Sequence, residues 1–84
     1  MTTDAQRALA RGADFPYDGG EAFWHRSESP PPAIDWAHRA ARGVLADLTD
    51  RRGIKHELDD IDYDVREELT QSLAAIIREA EVAR

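Results

Sequence analysis

Between Glu57 and Glu68 the chain places seven carboxylates, those of Glu57, Asp59, Asp60, Asp62, Asp64, Glu67 and Glu68, against a single cation, Arg66. This window carries a net charge of -6, equal to that of the whole chain. Carboxylates at such density hold a hard cation, act as general acid and base, or present a negative face to a partner. Spacing separates these uses. Asp60, Asp62 and Asp64 match the first three ligand positions of an EF-hand calcium loop, but Val65 stands where the sharp turn needs Gly and Gln71 where a bidentate Glu belongs. No metal site is therefore expected. If the window is helical, Glu57, Asp60, Asp64 and Glu67 share one face while Leu58, Ile61, Val65 and Leu69 share the other. The acids then form an exposed ridge that imitates the regular negative charge of a nucleic-acid backbone. A solvated helix face with capping residues is the plainer reading of the same acids.

Other chemistry finds little to use. His25, His38 and His56 lie in three different regions, and His56-Glu57 begins a zinc-protease motif whose second His is replaced by Asp60. There is no Gly-rich phosphate loop, no nucleophile motif around a Ser or Thr, and no Cys. The expectation is a protein that is not an enzyme and needs no cofactor.

Helical periodicity supplies the frame. From Ala33 to Arg52 the residues Trp36, Ala37, Ala40, Ala41, Val44, Leu45 and Leu48 form one apolar stripe, Asp35 supplies a cap or a first-turn negative charge, and Gly53 marks the end. A second stripe runs Ile54, Leu58, Ile61, Val65, Leu69, Leu73, Ile76 and Ala80. The clustered aspartates predict a break near 59–62, which leaves a short helix over about 54–59 and a long one over about 63–82. The fold class expected is all-α, an antiparallel helical hairpin with a short linking helix. Residues 33–84 form this helical domain, and residues 1–32 form an N-terminal arm.

Within that arm, Thr3 or Asp4 caps a weak short helix with Ala5, Ala8 and Leu9 on one face and Gly12 as its stop. Residues 13–32 hold Gly19, Gly20 and all four prolines, which predicts extended or turning backbone without regular helix. Phe15, Tyr17, Phe23 and Trp24 also fall there, either to finish the core of the hairpin or to stand exposed as binding anchors. Arg39, Arg42, Arg51, Arg52 and Lys55 make a basic patch at the first long helix and its end, for which pairing with the acidic window of the same chain or of a second copy is the simple expectation. Gly43 would permit close approach of another backbone.

Eighty-four residues bury a thin core, and without disulfides stability rests on helix packing or on association. Homodimerisation is therefore one expected mode. The net charge disfavours direct contact with nucleic acid or an anionic membrane and favours a protein or ribonucleoprotein with a basic surface. Absence of Cys, of a secretion signal and of a long apolar run points to the cytoplasm.

The stretch from Asp50 to Leu58, the run Ile61-Asp62-Tyr63-Asp64-Val65-Arg66-Glu67-Glu68 and the later Ala75-Ile76-Ile77-Arg78 resemble short uncharacterised proteins encoded by phages and prophages of proteobacteria. The resemblance covers roughly the C-terminal half. Small acidic proteins of mobile elements include anti-CRISPR inhibitors and other DNA mimics, and the sequence looks like a member of that loose functional class. This implies a non-enzymatic inhibitor that works in the host cytoplasm, docking through Glu57, Asp59, Asp60, Asp62, Asp64, Glu67 and Glu68. A structural or adaptor protein that homodimerises through its helices is the alternative.

Overall fold

The computed structural model of the chain describes residues 1–26 and 28–83. Its described residues form five helices and no strand, an all-α fold: α1 (Asp4–Asp14), α2 (Gly20–Arg26), α3 (Trp36–Thr49), α4 (Lys55–Asp59) and α5 (Tyr63–Ala83). None of these helices is long and apolar enough to cross a membrane.

Each boundary has a local cause. The Thr3 hydroxyl accepts from the Gln6 N–H at 3.1 Å while the Gln6 side chain accepts from the Thr3 N–H at 2.8 Å, so a reciprocal capping box starts α1. Asp35 caps α3, its carboxylate accepting from the His38 N–H at 2.8 Å. The helix thus begins at Trp36 and not at Ala33, since the three preceding prolines favour extended chain. Beyond α3, Gly53 at φ 84° reverses the chain into α4, a conformation that side chains with a Cβ resist. The predicted break is present between α4 and α5.

Helix α3 packs against both α1 and α5. On the α5 side, Ala37, Ala41 and Ala74 are fully buried, with Leu73 and Ile77 packed against them. Small side chains let the two helices approach closely. Arg78 of α5 also reaches the carboxylate of Asp35 at the start of α3. On the α1 side the approach is tighter. A Cβ added at Gly12 would lie 2.5 Å from the carbonyl carbon of Arg42 and 2.8 Å from the nitrogen of Gly43, so backbone meets backbone there. Gly12 is therefore not the stop that its type suggests. It sits inside α1, which runs on to Asp14, because only a residue without a side chain fits against α3. The approach expected at Gly43 comes from α1, whose Leu9 covers it.

Two further expectations are corrected. Residues 13–32 contain a regular helix, α2, formed in the gap between Pro16 and Pro30 and packed against α5. What holds this segment is Arg42 of α3, which is buried. Its Nε donates to Asp18 at 2.6 Å and its Nη1 to the carbonyl of Pro31 at 2.8 Å, fastening the segment at both ends. The stripe read along α5 holds only in part: Leu69 and Leu73 are half-buried, Leu73 against the core, but the fully packed face lies beside it. Its inner residues are Arg66, Thr70 and Ala74, whereas Val65 is 42% and Ile76 64% exposed. The buried Thr70 hydroxyl is satisfied by the Arg66 carbonyl one turn earlier, at 2.9 Å, so a polar residue costs little at that position.

Candidate functional site

The acid-rich window spans the joint between α4 and α5. Helix α4 ends at Asp59, which leaves carbonyls without a helical partner, and Arg66 reaches back from the first turn of α5 to take them. Its guanidinium donates to the carbonyl of Asp59 at 2.7 Å and to that of Ile61 at 3.1 Å. Three rings surround the same group, with centroids 4.6 Å away for Tyr63, 5.0 Å for Tyr17 and 5.5 Å for Trp24. The single cation of the window is thus buried as the fastening of the joint.

All seven carboxylates, those of Glu57, Asp59, Asp60, Asp62, Asp64, Glu67 and Glu68, belong to exposed residues. Among the described residues the ion pairs join Asp4, Asp18, Asp35, Asp47 and Asp50 to cations, and none involves the window. Within the chain, the expected pairing of the basic patch with these acids does not occur among the described residues. Arg42 is taken by Asp18 and Arg51 by Asp47, partners that are nearer in the fold. Nor is the window one helical ridge. Glu57 belongs to α4 while Asp64, Glu67 and Glu68 belong to α5, so the acids surround a joint between two helices. No group of three or more His, Asp or Glu among the described residues is placed to hold a metal ion.

Asp59 has a second task, accepting a hydrogen bond from the Tyr17 hydroxyl at 2.6 Å. Burial first, and then the hydrogen bond and charge of Asp59, raise the ionisation of Tyr17 above its usual range, with Arg66 opposing. Tyr17 therefore keeps its proton at neutral pH and ties the aromatic segment to α4. Trp24 packs edge-on to Tyr17 at 6.0 Å and donates its indole N–H to the carbonyl of Pro16 at 3.1 Å. Of the four clustered aromatics, Tyr17 is buried, Phe23 and Trp24 are partly buried, and Phe15 remains 61% exposed.

No family model, curated protein or solved structure matches this chain.

The histidines stay apart, as their spacing implies. His25 Nε2 lies 2.8 Å from the Tyr63 hydroxyl, and His38 Nδ1 lies 2.8 Å from Asp35. Asp35 is held below the ordinary carboxylate range by the His38 N–H, then by the His38 ring, with Arg78 adding to the effect. The roles of Arg66 at the joint, of the Tyr17–Asp59 hydrogen bond and of the Arg42–Asp18 pair were not legible from the sequence, although Tyr17 was expected in the core or at an interface. One signal was present for Arg66, which is the lone cation among seven acids and falls one turn after the predicted break.

Proposed function

We propose that this chain is a non-enzymatic protein-binding inhibitor from a phage or other mobile element, an anti-CRISPR that occupies a nucleic-acid-binding surface of a host complex by acidic docking. One observation carries the reading: seven exposed carboxylates gather at one joint without an ion pair to any cation among the described residues. Charges left unpaired and exposed are free to meet a basic groove, which raises the rate and the selectivity of encounter. In this reading α3 and α5 form an antiparallel hairpin with α4 as its link, and residues 1–32 are an arm laid against it. The Arg78–Asp35 contact and the packing of Ala74 on Ala37 and Ala41 support that arrangement.

The test is DNA cleavage by a panel of purified guide-RNA nuclease complexes, with and without the protein. A variant with Asp60, Asp64, Glu67 and Glu68 all changed to Lys reverses the charge and spares Asp59, which Tyr17 needs. The wild type inhibits at least one complex, and the variant, folded by circular dichroism, loses on the order of 100-fold in potency. Equal inhibition by both proteins would dismiss acidic docking.

The alternative, an adaptor that homodimerises through its helices, is favoured by the outward apolar face of α5, where Val65 and Ile76 are exposed. Equilibrium sedimentation of the wild type and of Ile76→Gln addresses it. A dimer that the substitution dissociates supports the alternative.

A further inference from the structure

Behind the acidic joint lies a cleft of about 720 Å³ with the opposite character. One wall is aromatic, formed by Phe15, Tyr17 and Trp24, and the other comes from the end of α3 and the turn into α4. Four Arg and Lys residues line it against two Asp, in a chain whose net charge is -6. Both aspartates are engaged: Asp50 pairs with Arg11 at 3.0 Å, and Asp59 accepts from Tyr17. Arg51 is held by Asp47. Arg52 and Lys55, on either side of the Gly53 turn, form no ion pair among the described residues and stay exposed at the mouth. The cleft therefore offers two unpaired cations opposite an exposed ring.

These two features ask for two parts in one ligand. Phe15 is 61% exposed, which a planar ring laid against it would relieve. Arg52 and Lys55 suit a phosphate, the guanidinium as a planar fork and the ammonium as a point charge. The volume lies within the range of small-ligand sites, roughly 300–1,000 Å³. A long polyanion is disfavoured by the acidic window that borders the cleft at Asp59, whereas a small molecule with one phosphate can sit at Arg52 and Lys55, away from most of those carboxylates. We infer that the cleft between the Phe15–Trp24 segment and the Arg52–Lys55 turn binds a nucleoside monophosphate, with its base against Phe15 and its phosphate at Arg52 and Lys55. Nothing in this inference depends on the inhibitor reading.

Amide and indole chemical shifts followed during titration with AMP test it, with adenosine, inorganic phosphate and a four-nucleotide DNA as parallel arms at fixed ionic strength. AMP produces saturating shifts at Arg52, Gly53, Lys55, His56 and the Trp24 indole. Adenosine and phosphate each bind roughly tenfold or more weakly, because each supplies half of the contacts. The double variant Arg52→Ala with Lys55→Ala, which removes no ion pair among the described residues, weakens AMP by about 100-fold. Phe15→Leu weakens AMP and adenosine but not phosphate. Phosphate as effective as AMP, shifts located elsewhere, or tighter binding of the oligonucleotide would each overturn the assignment.

Discussion

Where α1 crosses α3, Gly12 lies against the backbone of Arg42 and Gly43, and the contact is made by leaving side chains out. Where α4 gives way to α5, Arg66 fills the joint with a long charged side chain under three rings. The first contact is tight, backbone against backbone, and at Gly12 leaves no room for an added Cβ. The second is polar and depends on one residue satisfying two carbonyls at once. A small chain with little apolar surface to bury can thus join helices in two ways, and only the second leaves a charged surface around the joint. With the cation turned inward onto carbonyls and rings, the acids outside remain unneutralised.

The largest effect is expected at the polar joint. Arg66→Ala strands the carbonyls of Asp59 and Ile61 and empties the ring cage, so unfolding in urea should show a loss of about 3 kcal/mol. Arg66→Met, which keeps the hydrocarbon and drops the donors, should lose less. Equal losses in the two variants would mean that hydrogen bonding, and not packing, holds the joint. At the tight crossing, Gly12→Ala should cost about 2 kcal/mol, because the new methyl meets backbone that cannot move aside. Gly43→Ala meets the end of the Leu9 side chain at 2.9 Å, which can turn away. The gain in helix propensity of about 1 kcal/mol offsets most of that strain. If the two glycines respond alike, the crossing is not backbone-limited.

A smaller effect is expected from pH. Tyr17 is harder to ionise in the folded chain than in the unfolded one, so its contribution is complete below the unfolded value of about 10 and is lost as pH rises above it. The urea midpoint should fall between pH 8 and pH 11, and less so in Tyr17→Phe. A midpoint in the Phe variant that falls as steeply as in the wild type would place the alkaline sensitivity elsewhere. Smallest of all, Ile76→Gln on the outward face of α5 should change the stability of the isolated chain by less than about 0.5 kcal/mol.

The same contrast explains what the sequence made legible. The Asp35 cap and the break before Tyr63 are local, set by a side chain accepting its own helix N–H or by aspartates clustered where a helix ends, and both could be read directly. Gly12 as an internal residue of α1 could not be read, because its reason is the backbone of α3 thirty residues away. Helix α2 depends similarly on the distant Arg42, which fastens Asp18 and Pro31 on either side of it. The α5 stripe misled for a further reason. Its inner face uses Arg66, Thr70 and Ala74, whose polarity or small size hides them from an apolar count, while Val65 and Ile76 face outward. The seven acids of the candidate face were legible as residues. Their freedom from internal pairing was not, since it depends on where the fold places the cations: Arg42 and Arg51 meet Asp18 and Asp47, and Arg52 and Lys55 pair with no described acid.

The attachment role of the acidic joint is tested most directly by the rate at which the protein associates with an inhibited guide-RNA complex, followed by stopped flow from about 50 to 300 mM salt. Acidic docking predicts a rate that falls steeply across that range in the wild type and hardly at all in the Lys variant, because mobile ions screen exposed charges beyond roughly 10 Å. A rate that is flat with salt in the wild type would contradict it.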